Sequence, residues 1–326
     1  MTSRAGKCIY QFVFFALCAS VFCASPSLAD DLPSGPIKIV VGFGPSSSAD
    51  TVARLVARYM SDTVGHPVIV ENRPGNSSML AAEYVAHAAN DGRTLFMSTV
   101  ANTLYPAHMK QSFNLGKDLQ PIALLAVVPN LLVANPSLNV HSVKDLVMLA
   151  KEKPETLTFG TSGQWTASYM AAQMFNIQAG TKITTVPYQG GANQAVLDLI
   201  SGRINLMFNV AATLAPHVKE GKLTALAVGQ PKRANIVPDV PTMAEAGMPG
   251  FDVGIWIGLL APAGTSTKIV DALSKYANEA VHSKDAEKAL NAQGMDVLGG
   301  TPQEFSAFIE KDIQKWTRIL ASTGLK

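Results

Sequence analysis

Short β-branched runs alternate with capped amphipathic stretches along this chain, in two successive sets, and that alternation constrains the fold more than any other feature. Ile37-Lys38-Ile39-Val40-Val41 reads as a buried strand, since a near-continuous apolar run suits a sheet covered on both faces. It passes into Gly42-Phe43-Gly44-Pro45-Ser46-Ser47-Ser48-Ala49-Asp50, and Thr51 to Thr63 then carries Val52, Leu55, Val56, Tyr59 and Met60 at helical spacing. Ser47 and Asp50 fit a capping box at that helix start. Strand Val68 to Val70, a helix from about Ser78 to Ala89 and strand Thr94 to Ser98 continue the pattern. Strands separated by helices join through right-handed crossovers, so the expected fold class is α/β with mainly parallel, mixed sheets.

The second set starts with strands Ile122 to Ala126 and Asn130 to Ala134, and a helix opened by Ser142 and Asp145 that stops before Pro154. Strand Thr158-Phe159 runs into Gly160-Thr161-Ser162-Gly163-Gln164-Trp165, with a helix from about Thr166 to Phe175. Strand Ile183 to Pro187, a helix to Ser201, and strands Leu206 to Asn209 and Leu223 to Val228 complete it. A turn-rich stretch from Pro231 to Gly250 precedes a returning strand, Ile255 to Leu260, and helices near Ser266 to Ser283 and Pro302 to Thr323. Pro302 stands at a first helical position, where its missing N–H costs nothing. The late strand makes the second set an insertion. Residues 30–131 and 254–326 are expected to form one lobe and 132–253 the other, with a cleft and a hinge between them.

Ahead of the first strand lies a leader. Arg4 and Lys7 precede an uncharged run from Cys8 to Cys23, and Ser27-Leu28-Ala29 forms a small-x-small cleavage site before Asp30. This is the pattern of a cleaved secretory signal peptide over residues 1–29, and it places the mature chain in the periplasm. As a membrane anchor the run of about 16 residues falls short of the roughly 20 that a spanning helix needs. Lipid attachment at Cys18 or Cys23 is disfavoured by the bulky Leu17 and Phe22 before them. All three cysteines lie in the leader, so the mature chain has no disulfide and no thiolate metal site. Without Arg4 and Lys7 it carries 24 basic and 24 acidic residues, a balance that offers nothing to nucleic acid or to a membrane surface.

The two strand–turn–helix junctions carry the candidate chemistry. The first N–H groups of a helix point out of its end, and the helix dipole adds partial positive charge, so a carboxylate or phosphate binds well there. Phe43, Pro45, Ser46, Ser47, Ser48 and Asp50 form the first candidate loop; Thr161, Ser162, Gly163, Trp165 and Thr166 form the second. Thr99 and Asn102, after the third strand, and Tyr188 and Asn209, at later strand ends, complete the candidate contacts. Trp165 and Tyr188 are available to stack on an aromatic ligand. Either junction alone is an ordinary βα turn, and Asn209 serves equally as a turn cap. As a pair facing across a cleft the two turns hold both ends of a small acid.

Other chemistries fit less well. Gly42-x-Gly44 before a helix, with Glu71 past the next strand, is part of a dinucleotide fingerprint, but Ser47 replaces its third glycine and Pro45 stiffens the turn. Gly160-Thr161-Ser162-Gly163 is not the Gly-x-Ser-x-Gly elbow. A serine hydrolase acting through Ser162 would need a histidine base, and His66, His87, His108, His141, His217 and His282 are scattered, without metal-ligand spacing. The expectation is a receptor without cofactor, metal or catalytic residue; an exported serine-type hydrolase and a ligand sensor for a signalling partner stay as alternatives.

The first loop, Val70-Glu71-Asn72-Arg73-Pro74-Gly75, Asn90-Asp91-Gly92-Arg93-Thr94-Leu95, Gly160-Thr161-Ser162-Gly163, Val186-Pro187-Tyr188-Gln189-Gly190, Pro238 to Gly247 and Gly258 to Thr265 together resemble the Bug-type receptors, the periplasmic solute-binding proteins of tripartite tricarboxylate transporters. They run in order along nearly the whole mature chain. The resemblance implies a two-lobed, type II-like periplasmic-binding-protein fold that closes as a monomer around a small mono- or dicarboxylate. It also implies delivery of that ligand to membrane permease subunits. In the family the first loop, here Phe43 to Asp50, holds a carboxylate through backbone groups and waters, and the opposing lobe contributes turns matching Thr161 to Thr166 and the surroundings of Tyr188 and Asn209. The family's Pro-Gly-Gly-Gly-Thr-Asp reads Pro45-Ser46-Ser47-Ser48-Ala49-Asp50 here, which adds hydroxyls and narrows the approach. Where amino-acid-binding members are expected to carry an acid this chain has Asn209, which favours a ligand without an amine.

Overall fold

The computed structural model describes residues 32, 34–104, 114–163, 166–188 and 192–323. The leader 1–29 and Trp165 lie outside the described residues. In chain order the elements are β1 (Ile37–Val41), α1 (Ser48–Val64), β2 (Val68–Asn72), α2 (Met79–Ala86), β3 (Thr94–Thr99), α3 (Ala101–Leu104), α4 (Leu115–Asp118), β4 (Leu119–Val128), β5 (Asn130–Ala134), α5 (Val143–Glu152), β6 (Thr158–Thr161) and α6 (Ala167–Ala179). They continue with β7 (Thr184–Pro187), α7 (Ala192–Ile200), β8 (Leu206–Val210), α8 (Ala211–Lys219), β9 (Thr224–Val228), β10 (Ile255–Pro262), α9 (Thr267–Val281), α10 (Lys284–Ala292), β11 (Asp296–Val297) and α11 (Pro302–Thr323).

Two sheets result, ordered β11-β4-β10-β3-β1-β2 and β7-β6-β8-β5-β9. Parallel pairing holds for β2-β1-β3 and for β7-β6-β8, where helical crossovers demand it. The rest is antiparallel: β10 against β3 and β4, β11 against β4, and β5 against β8 and β9. The sheets are therefore evenly mixed and not mainly parallel. The reason lies in the connections. β10 re-enters the first sheet from the second and runs against its neighbours, and a single residue, Pro129, separates β4 from β5.

Each sheet is covered on both faces. In β1, Ile37, Ile39 and Val41 pack into one core with Val52, Val56 and Met60 of α1 and Leu273 and Ala277 of α9, while Val40 points into another. That is the two-residue alternation of a strand buried on both sides. The second core runs from one sheet to the other and contains Phe96, Leu260, Phe305 and Trp316 beside Phe159, Phe175, Phe208 and Phe251. Its aromatic row has centroid spacings of 5.5 Å for Phe175–Phe159, 5.6 Å for Phe159–Phe208 and 5.6 Å for Phe208–Phe251. The far face of the second sheet packs Leu131, Val133 and Met207 against Leu199 of α7 and Leu214 of α8.

A buried carboxylate ties α11 to this core. Asp312, 3% exposed, accepts hydrogen bonds from Trp256 Nε1 at 2.9 Å, Trp316 Nε1 at 3.1 Å and Thr103 Oγ1 at 2.5 Å, and its second oxygen lies 2.6 Å from Lys315 Nζ. Removing one member of such a network strands the others in low dielectric. Asp312→Ala is expected to lower unfolding stability by about 3–5 kcal/mol. Urea denaturation followed by tryptophan fluorescence measures the loss.

Candidate functional site

The candidate residues gather at the carboxyl ends of parallel strands, where open α/β sheets bind ligands. In the first sheet these are the ends of β1 and β3; in the second, those of β6 and β8.

After β1, the loop is held by a carboxylate that it surrounds. Asp50, 2% exposed, takes Arg54 Nε at 2.9 Å and Ser46 N–H at 3.0 Å on one oxygen, and Arg54 Nη2 at 3.0 Å and Asn72 Nδ2 at 2.8 Å on the other. Asn72 also donates to the Phe43 carbonyl at 3.0 Å, so the end of β2 clamps the loop after β1. Ser47 caps α1, its Oγ accepting the Asp50 N–H at 3.2 Å, as the capping reading expects. Ser46 sits at φ 66, a left-handed conformation stabilised by its bond to Asp50. Gly42 is required by crowding, since a Cβ there would lie 1.9 Å from Ser78 Oγ. Asp50 is thus a positioning group whose oxygens are occupied inside the protein, and Ser48 and Ala49 open the helix above it.

After β3, Asn102 is fully buried, and its Oδ1 accepts the Thr99 N–H at 3.0 Å and the Ser98 hydroxyl at 3.1 Å. These donors orient the amide with Nδ2 directed elsewhere, and Nδ2 has no protein acceptor. Thr99 Oγ1 accepts the Ala101 N–H at 3.3 Å.

The second loop is knitted by its own hydroxyls. Thr166 caps α6, accepting the Tyr169 N–H at 3.3 Å and donating to the Gly163 carbonyl at 2.8 Å. Thr161 Oγ1, buried, donates to the same carbonyl at 3.3 Å. Ser168 accepts the Ser162 N–H at 3.0 Å and lies 2.9 Å from the Ser162 hydroxyl and 3.0 Å from that of Thr166. Ser162 is therefore paired with a serine, not with a histidine base. Tyr188 donates its hydroxyl to Asp198 at 2.8 Å, and burial together with that carboxylate pushes its pKa up to about 12, so it stays a donor throughout the physiological range. Asn209, at the end of β8 and 6% exposed, has a buried Nδ2 without a protein acceptor.

The structure thus groups Phe43, Pro45, Ser46, Ser47, Ser48 and Asp50 in one loop and Thr161, Ser162, Gly163 and Thr166 in another, with Thr99, Asn102, Tyr188 and Asn209 at adjoining strand ends. Three contributors escape sequence reasoning. Asn72 is the clamp, Ser168 is the centre of the second loop's hydroxyls, and Ser78 carries a buried hydroxyl without a partner at φ 75. Asn72 lies in the Glu71-Asn72-Arg73-Pro74-Gly75 motif, which was its available signal; Ser168 and Ser78 become visible only through burial. Among the described residues no group of three or more His, Cys, Asp or Glu side chains is placed to hold a metal ion.

Two mixed sheets flanked by helices, joined by two crossings and with polar loops at the strand ends, define the architecture of a periplasmic binding protein. Residues 52–325 match the family model described as tripartite tricarboxylate transporter family receptor. The chain belongs to that family. It is 34% identical over 309 residues to Protein BugT of Bordetella pertussis, covering 93% of this chain and 94% of that protein. Among solved structures it resembles R. palustris Rpa4515 with adipate, at 31% identity and a TM-score of 0.73 over 90% of this chain and 98% of that one. It also resembles MatC (Rpa3494) from Rhodopseudomonas palustris with bound malate, at 31% identity and a TM-score of 0.69 over 89% and 100%.

The Asp50 clamp has a pH signature. Burial alone would raise its pKa, but the hydrogen bonds from Arg54, Asn72 and the Ser46 N–H outweigh it and hold the carboxyl below the ordinary aspartate value. A depressed folded-state pKa contributes stability above the unfolded value of about 3.9, and that contribution disappears as pH falls through the folded value. Asp50→Asn is expected to be clearly less stable than wild type at pH 7, with the gap closing below about pH 4. Urea midpoints of both proteins at pH 7 and pH 3 test this.

Proposed function

We propose that this chain is an exported, non-enzymatic receptor that closes around a small organic mono- or dicarboxylate and delivers it to the membrane permease of a tripartite tricarboxylate-type transporter. In this reading residues 1–29 are removed on export, and residues 30–131 with 254–326 move against residues 132–253. The observation that carries it is the pair of buried amide donors, Asn102 Nδ2 at the end of β3 and Asn209 Nδ2 at the end of β8, neither with a protein acceptor. A buried donor left unpaired costs about 1–3 kcal/mol, which a ligand oxygen repays. Asn102 follows β3 of the first sheet and Asn209 ends β8 of the second, and a ligand held between the sheets would satisfy both. Closure follows, because the closed state alone makes both contacts.

The side chains of each loop are largely bonded within that loop or to its own lobe, which leaves helix-start amides and these two asparagines to receive an anion. The adipate and malate carried by the two related structures support a carboxylate as the ligand class. An amide at position 209, in place of an acid, favours acids without an ammonium group.

The test is a thermal titration of the mature chain, unfolded, washed and refolded to remove carried-over ligand, against aliphatic and aromatic acids. An acid that binds is expected to add about 2.7 kcal/mol at 100 times its Kd without being consumed. Asn102→Asp and Asn209→Asp, which replace a donor by a negative charge, are each expected to weaken that acid tenfold or more. No shift with any acid, or unchanged affinity in both variants, overturns the reading.

A further inference from the structure

A cavity lies away from the strand ends just described and shares no residue with them. It has a volume of about 340 Å³ and sits where the chain passes between the sheets. Its apolar walls come from Leu124 and Val127 of β4, Trp256 of β10 and Phe308 of α11. Its polar lining combines the carboxyl groups of Asp252 and Asp296 and the amides of Gln230 and Asn235 with the cations Lys232, Arg233 and Lys315. Gln230, 3% exposed, lines it with an Oε1 that has no partner. The amide orientation follows from its neighbour, since Nε2 faces the Asp296 carboxylate at 3.5 Å and a carbonyl there would meet only another acceptor. Asp296 otherwise accepts one backbone N–H, from Asn235 at 3.3 Å, and Asp252 accepts only the Gly254 N–H, at 3.4 Å.

Of the three cations in the lining, two are already engaged and the third is exposed to solvent. Lys315 Nζ donates to the Asp252 carbonyl at 2.8 Å and pairs with Asp312 at 2.6 Å. Arg233 is bonded to Glu245, and Lys232 is exposed at the rim. Burial raises the pKa of both Asp252 and Asp296, Lys315 offsetting it in part for Asp252 and Asp312 adding to it. Two carboxyl groups with few hydrogen bonds and one orphaned carbonyl thus line the chamber, and its Lys315 is held by Asp312 and the Asp252 carbonyl. A buried acceptor of this kind costs free energy until an N–H reaches it.

We infer that this cavity is a second ligand site, for a small amine with an apolar or aromatic body, its ammonium reaching Gln230 Oε1, Asp252 and Asp296 and its body lying on Trp256 and Phe308. The volume falls at the lower end of the range typical of small-molecule sites, which suits a ligand of one ring and a short arm. This site takes the opposite charge from the strand-end site, so the two compete for no common ligand, and its existence does not depend on the receptor reading.

The experiment uses the mature chain with ¹⁵N-labelled indoles and three probes of one shape: 2-phenylethylamine, 2-phenylethanol and phenylacetate. Phenylethylamine is expected to shift the Trp256 Nε1–H resonance saturably with one-site stoichiometry, and to bind at least tenfold more tightly than the alcohol. Phenylacetate is expected to leave that resonance unmoved even if it binds elsewhere. Gln230→Met and Asp252→Asn, each checked for wild-type thermal unfolding, are expected to weaken the amine at least tenfold. The inference is overturned if alcohol and amine bind alike, if no saturable shift occurs up to about 10 mM, weaker than the mM end of specific affinities, or if neither folded variant loses affinity. The comparison of amine with alcohol on the wild-type chain decides the matter even if both variants misfold.

Discussion

Three backbone segments meet where the chain passes between its sheets, and the placement of both sheets depends on how they are tied. Gly229 N–H donates to the Asn130 carbonyl at 2.7 Å, Val253 N–H donates to the Gly229 carbonyl at 2.6 Å, and the buried Asn130 side chain donates to the Val253 carbonyl at 2.8 Å. The outgoing crossing after β4 and the returning one before β10 are thereby laced side by side. Gly229 has to be glycine, because a Cβ there would stand 2.6 Å from Val253 Cγ2. In the proposed closing receptor these paired crossings are the joint between the sheets. Closure by hinge motion places its φ/ψ changes in a few residues at such a joint.

The strand-end loops are held largely by their own side chains. Short polar side chains next to helix starts readily satisfy local backbone groups, and here they do: Ser47, Thr166, Thr161, Ser162 and Ser168 bond to their own loops. Asp50 performs the same service with a full charge, gathering Arg54, Asn72 and Ser46. In the proposed function, the donors that remain are held in fixed positions. Fixed donors bind an anion better than mobile ones, because little ordering entropy is lost on contact.

Most of the strands were legible because their residues are buried on both sides and so read as apolar runs. Asn130–Ala134 and the last helix, Pro302–Thr323, appear with the expected bounds. Elements governed by other forces were not. Ala211–Lys219 forms α8 despite Pro216 in its interior, a residue that argues against helix in any local reading. Lys284–Ala292 forms a separate helix capped by Ser283, where the sequence reading simply ended the preceding helix, because only Ala286 and Leu290 of that stretch are buried. The direction of β10 depends on where the chain comes from and not on its composition. The loops of the candidate site were legible as Gly/Ser-rich junctions, yet which of their polar atoms stay unpaired depends on burial from strands far apart in sequence. Asn102 and Asn209 were candidates from the sequence, but that their Nδ2 atoms stay unpaired shows only in three dimensions.

The position of β10 between β3 and β4 sets an order of assembly. Until residue 262 exists, β3 has an open edge and β4 has no partner on that side, whatever the second sheet has done. The second sheet, by contrast, uses only residues from 130 to 228 and has all its strands first. A chain emerging from its N-terminus therefore completes its inserted half before the half that began it. The pairings of β10 with β3 span some 160 residues of sequence, and contacts so distant close slowly because loop entropy opposes them. The first sheet stays open during synthesis, and its long unfinished interval is built into the topology itself.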